Sequence, residues 1–228
     1  MNEKSIVKLG GICAVIVGIL YVLVGITYLL LPEAQKGGPE IEDFAKILLS
    51  VNQNPILTML LYVEFALIGI LAFAAVPAIS GLVQTVNEDW ARWTKNLAYL
   101  GFAVLAINYF RAIALTPWRA EAFAAGDAST RAAIAGVGPI LIDPQGWLSF
   151  GAVSLWLLVV NILALREGKL PKLLGIIGIV GAILYALVVA GNVTGITLLI
   201  MIAAGLGGII VGPIWFIWIG VRLLRTTS

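Results

Sequence analysis

Histidine is absent from this chain, cysteine occurs once, and charged residues make up only 11% of it. The lack of His removes the commonest metal ligand and general base, and with them the axial imidazole of most haem sites. The one cysteine, Cys13, lies inside an apolar run, so the chain has neither an internal disulfide nor a CxxC site. A net charge of +2 with no basic run gives no footing for a nucleic-acid partner. What fills the space is apolar: 61% hydrophobic residues and a mean hydropathy of +1.06. Soluble domains run to roughly 45–50% apolar and about 25% charged. A core made by 228 residues cannot hide that much apolar surface from water, so the solvent has to be lipid.

Six apolar stretches follow one another, over residues 6–31, 55–83, 93–117, 147–165, 170–190 and 195–224. Each is long enough for a helix to cross a hydrocarbon core of roughly 30 Å at 1.5 Å per residue. Barrel strands would be about half as long and would alternate, which these do not. The first stretch is flanked by Lys4 and Lys8, as in a signal peptide. It exceeds a signal core in length and lacks a small-x-small cleavage site, so it reads as a retained helix. The expectation is an all-α polytopic bundle of six transmembrane helices, a single integral membrane domain over 1–228. Its two long loops span 32–54 and 118–146.

The loops set the orientation. Lys4, Lys8, Arg92, Lys95, Arg166, Lys169, Lys172, Arg222 and Arg225 fall on one side; Lys36, Lys46, Arg119 and Arg131 fall on the other, diluted by acids. Nine bases against four place both termini in the cytoplasm, in a bacterial inner (plasma) membrane. The first long loop carries "PEIEDFAKILLSVNQNP", with Ile41, Phe44, Ile47 and Leu48 on one helical face and Glu40, Asp43 and Lys46 on the other. That predicts a short amphipathic helix. The second loop predicts another, with Asp127 or Ser129 as N-cap. Both read as packing over the helix ends or as a lid over an outward-opening pocket.

Two charges lie deep inside the apolar stretches: Glu64 in the second and Arg111 in the third, with Asn108 one turn before it. Counted from Pro55, Glu64 lies about 13 Å deep, and counted from Trp118, Arg111 lies about 10 Å deep. Opposite signs at similar depth on consecutive antiparallel helices predict a Glu64–Arg111 ion pair, with Asn108 adding a hydrogen bond. Three readings stand side by side: an arginine that snorkels to the headgroups, a purely structural pair, and a pair that contributes to binding.

Other polar groups within the spans, Ser154, Asn161, Tyr185 and Asn192, read as interhelical hydrogen-bonding groups. Stripes of glycine read as close-packing seams: Gly11, Gly18 and Gly25 in the first stretch, Gly175, Gly178 and Gly181 in the fifth, and Gly205, Gly208 and Gly212 in the sixth. Pro213 breaks the sixth stretch. Glu121 and Asp143 are loop carboxylates with no visible partner. No paired carboxylates, Ser/His/Asp set, phosphate loop or metal-ligand cluster appears, so no enzyme, no catalytic residue, no metal and no cofactor are expected.

The segments "LGGICAVIVGILYVLVG", "AFAAGDASTRAAIAG", "REGKLPKLLGIIGIV" and "GPIWFIWIGVRLLR", taken in order, resemble a family of uncharacterised bacterial integral membrane proteins, a domain of unknown function of about this size. The resemblance implies a multi-helix membrane bundle and carries over no catalytic residues. Two function classes remain. One is a non-catalytic accessory or scaffold subunit packing against other membrane subunits. The other is a binder or transporter of a small apolar or amphiphilic, lipid-like molecule in an outer-half pocket near Glu64 and Arg111.

Overall fold

A computed structural model describes residues 3–36, 41–139 and 141–227. Its elements are all helical: α1 (Glu3–Leu30), α2 (Ile41–Gln53), α3 (Ile56–Gly81), α4 (Glu88–Ala125), α5 (Ala128–Val137), α6 (Val153–Arg166), α7 (Lys172–Thr194), α8 (Thr197–Ala204) and α9 (Gly212–Thr227). Six helical spans are long and apolar enough to cross a membrane, the fourth and sixth being composites with a π-helical segment, Trp147–Ala152 before α6 and Gly205–Val211 between α8 and α9. Only 22–56% of each span is buried inside the protein, and the outward remainder is apolar, as lipid requires. The chain is a multi-pass membrane protein.

Packing follows the small residues. α1 lies between α3 and α9, α3 lies against α4, and α6 pairs with α7. On the α1–α9 seam, a Cβ at Gly18 would stand 3.0 Å from the Pro213 carbonyl oxygen, and one at Gly25 would stand 2.8 Å from Ile209. From the other side, a Cβ at Gly220 would meet the Gly11 carbonyl at 2.7 Å. Helices come this close where at least one face lacks a side chain, and at Gly11 and Gly220 both do. The seam runs antiparallel, so both chain ends lie at one end of the bundle. We refer to this as the termini end, and to the opposite end, which carries α2 and α5, as the cap end. Gly178 faces Asn161 and Gly181 faces Val211, so the fifth-span stripe also packs. Of the expected sixth-span stripe only Gly212 packs, a Cβ there standing 3.7 Å from the Tyr185 hydroxyl; a Cβ at Gly205 or Gly208 would meet nothing within 4 Å, and Gly207 lies instead against Leu184 and Tyr185.

The centre is a run of aromatic rings. Phe102 meets Trp156 edge-on, Trp156 meets Trp215, Trp215 meets Phe216, and Phe216 stacks on Tyr21. These contacts tie α4, α6, α9 and α1 together. Among the described residues each buried side-chain polar atom except Glu64 Oε2 finds a partner, as lipid-immersed polar groups must. Trp156 Nε1 donates to Ser80 Oγ (2.9 Å), Trp215 Nε1 to Asn161 Oδ1 (3.0 Å), Tyr185 to Tyr21 (3.1 Å) and Ser154 Oγ to the Ala182 carbonyl (2.7 Å). Asn192 Nδ2 reaches the Gln145 carbonyl, so the four expected polar groups all bridge segments.

Two boundaries and one side chain differ from expectation. The third span does not stop at Pro117; α4 runs on to Ala125, with Pro117 inside it. A proline removes one backbone donor and crowds one carbonyl, and a helix already held on both sides tolerates that. The break in the sixth span lies before Pro213, at the π-helical turn Gly205–Val211, because the wider turn accommodates the ring that a regular turn would meet head-on. Asp143 is not partnerless: its Oδ2 accepts from the Leu148 and Ser149 amides and from the Ser149 hydroxyl at 2.8–2.9 Å, capping the fourth span.

Candidate functional site

The cap has a small core of its own. Leu48 and Val51 of α2, Ala120 and Phe123 of the α4 extension and Ala135 of α5 are buried against one another. The amphipathic helix expected over 39–55 is therefore present as α2, with Phe44, Ile47 and Leu48 turned to this core. Glu40 and the side chain of Ile41 lie outside the described residues. Gln35 pins α2 in place: its Nε2 donates to Ser50 Oγ and the Asn54 carbonyl, both at 3.0 Å, while its Oε1 accepts from Thr58 at 2.8 Å.

α5 begins at Asp127, as the N-cap expectation had it. Asp127 Oδ1 accepts from the Thr130 amide (2.8 Å) and the Ser129 hydroxyl (2.9 Å). Chiefly because of the Thr130 amide, its carboxyl is pulled down to about 2. Two arginines lock α5 onto α4. Arg131 donates to the carbonyls of Phe123 and Ala124 at the end of α4. Arg119 donates to the Ile134 and Gly138 carbonyls and stands over the Phe44 ring, 5.2 Å from its centroid.

Beneath this cap lies a cavity of about 180 Å³. Phe44 and Leu48 of α2 roof it, Tyr62 of α3 and Asn108 of α4 wall it, and Arg111 and Arg119 also face it. Among the described residues no carboxylate lines it. Asn108 Oδ1 accepts from the Ile142 amide at 2.9 Å, which fixes the segment after α5 across the cavity rather than supporting Arg111. Arg111, half-buried, makes no hydrogen bond or ion pair with any described residue.

The Glu64–Arg111 ion pair is not formed. Glu64 is buried, and its Oε1 accepts from Thr27 Oγ1 of α1 at 2.9 Å, while Oε2 has no partner among the described residues. The reason is rotational. The α3–α4 seam is marked by Gly69, whose Cβ would meet Ala106 at 2.7 Å. Glu64 precedes Gly69 by five residues and Arg111 follows Ala106 by five, which turns each about 140° away from the seam. Depth matches; azimuth does not. Of the three residues singled out in the sequence, Asn108 and Arg111 share the cavity and Glu64 faces α1. Tyr62 and Arg119 complete the cavity without having been anticipated; Arg119 was counted only as a loop charge.

One family model covers residues 12–220, from the first span through the last, and describes a domain of unknown function, DUF4386. The chain belongs to the DUF4386 family. The match takes in α3, α4 and the whole cap, so the cavity lies within the shared domain. No curated protein and no solved structure matches the chain.

Proposed function

We propose that this protein is a non-catalytic membrane protein that binds the head of an anionic amphiphile in the cap cavity, with Arg111 as the counter-charge. The observation that carries this is Arg111 itself, a guanidinium inside a spanning helix that faces a cavity and meets no described anion. A charge within the bilayer costs about 2.5–3.5 kcal/mol on insertion scales, and intramembrane charges pair or mark a ligand path. Arg119 on the same cavity adds a second positive charge beneath the roof of α2. The volume is below the roughly 300 Å³ at which pockets take whole drug-sized ligands. It suits a carboxylate or phosphate head group whose tail stays in the bilayer. The excess of bases at the termini end supports cytoplasmic termini and a cap facing out of the plasma membrane.

The test uses the purified protein in neutral detergent, with dodecyl phosphate and dodecylphosphocholine as probes. Dodecyl phosphate raises the melting temperature of the native protein and the zwitterion does not. Arg111→Gln abolishes that rise while the ligand-free protein melts at the same temperature or higher, since an unpaired charge has been removed. An undiminished rise in Arg111→Gln refutes the reading.

A second reading, an accessory subunit packing against other membrane chains, draws support from the sixth span. It is the least buried of the six, at 22%, with Leu198, Met201 and Ile202 each at least half exposed along α8. Leu198→Arg then dissociates a stoichiometric complex isolated in mild detergent; a chain that is isolated alone, with or without the substitution, rules this reading out.

A further inference from the structure

At the termini end, away from the cap cavity, a groove of about 930 Å³ runs along α9. Val22 of α1, Ile210 of the π-helical turn and Ile214 of α9 form its apolar length, and Trp218, Arg222 and Arg225 form its other end. The apolar part is open to the lipid side, with Ile210 and Ile214 49% and 46% exposed. From residue 210 to residue 225 a helix rises about 23 Å, against about 20–22 Å for one leaflet with its head groups. The groove is therefore one leaflet long. Its polarity runs the way a lipid does: hydrocarbon wall, then an interface-type tryptophan, then two guanidiniums. Arg222 is fixed at the rim, where one Nη2–H donates to the Lys169 carbonyl at 2.7 Å. Lys169 and Lys172 flank the same rim; Glu167 is the acid of that turn, and among the described residues no acid lines the groove.

We propose that this groove seats one anionic phospholipid from the leaflet at the termini end, its phosphodiester on Arg222 and Arg225 and its acyl chains along Val22, Ile210 and Ile214. A phosphate accepts from guanidinium forks in charge-assisted pairs. A neutral or zwitterionic lipid fills the apolar length equally well but leaves the two arginines without a net counter-charge.

The experiment is native mass spectrometry of the full chain in neutral detergent, titrated with phosphatidylglycerol and with phosphatidylcholine of the same acyl chains. The native protein retains phosphatidylglycerol at least about tenfold better, a difference of about 1.4 kcal/mol. R222Q/R225Q removes the preference. R92Q/K95Q, which removes two charges from the same end of the bundle, keeps it. Loss of preference in both double variants, or in neither, overturns the proposal. Displacement by soluble glycerol phosphate also overturns it, since the site would then take a free anion. Should R222Q/R225Q fail to fold, I210W decides: it keeps both guanidiniums and fills the apolar length, so retention of both lipids drops. Unchanged retention by I210W overturns the proposal.

Discussion

Alanine at Gly18 and alanine at Gly208 are the same chemical change placed in opposite surroundings. Both remove a glycine from a helical segment of a spanning region, and both gain up to about 1 kcal/mol from helix propensity and reduced unfolded-state freedom. At Gly18 the new Cβ would stand 3.0 Å from the Pro213 carbonyl oxygen and the Ile217 nitrogen and 2.6 Å from Ile217 Cγ1. Two of those atoms are backbone of α9 and move only if the helix moves. Overfilling of this kind costs about 1–3 kcal/mol. At Gly208 the new methyl would meet nothing within 4 Å. Because the propensity gain is common to both, the difference between the variants isolates the overfilling. For a chain of this size, 1 kcal/mol shifts the midpoint by about 2–4 °C, so Gly18→Ala melts about 2–12 °C below Gly208→Ala. The assay is thermal unfolding in one mild detergent, monitored by intrinsic tryptophan fluorescence. Equal midpoints, or Gly208→Ala the lower, would refute the close α1–α9 seam.

Further outcomes follow from the same contacts. Asn161→Leu leaves Trp215 Nε1 without its acceptor in the core, and stability falls by about 0.6–2 kcal/mol, the range for hydrogen bonds between membrane helices; an unchanged midpoint would show that the bond contributes nothing. Asp127→Ala weakens the start of α5, read as faster amide exchange at Thr130. Because the Asp127 carboxyl is depressed in the folded chain, its contribution is present above the ordinary value of 3.8 and fades as pH falls towards about 2, so native protein and variant converge there. A gap between them that persists at pH 2 contradicts the capping role. A reporter fused after Ser228 reads cytoplasmic and one inserted within 125–130 reads external; reversal of either overturns the orientation.

The spans were legible because hydropathy and length are one-dimensional properties, and lipid enforces both. The amphipathic α2 and the Asp127 cap were legible because periodicity and N-cap chemistry act within a few residues. The seam of Gly11, Gly18 and Gly25 was visible as a seam, though not its partner, since nothing local says which helix it meets. The error over Glu64 and Arg111 has the same origin. Counting residues from a helix end fixes depth, while the direction in which a side chain points depends on which face its helix buries. Gly69 and Ala106 carried that information: small residues marking the α3–α4 seam place both charges on other faces. Arg119 was unreadable because α4 passes through Pro117, and a charge counted in a loop became part of a rigid helix.

The pairing of α1 with α9 also fixes a schedule for biogenesis. Gly18 and Pro213 touch in the finished protein, yet 195 residues of translation separate them. At about 5–20 residues per second the first span waits on the order of 10–40 s for its partner. Through that interval its glycine stripe lacks the face of α9 that covers it in the finished protein. Closure of the seam therefore waits until α9 has been made. A chain that stops short of residue 212 lacks the surface against which Gly11 and Gly18 pack.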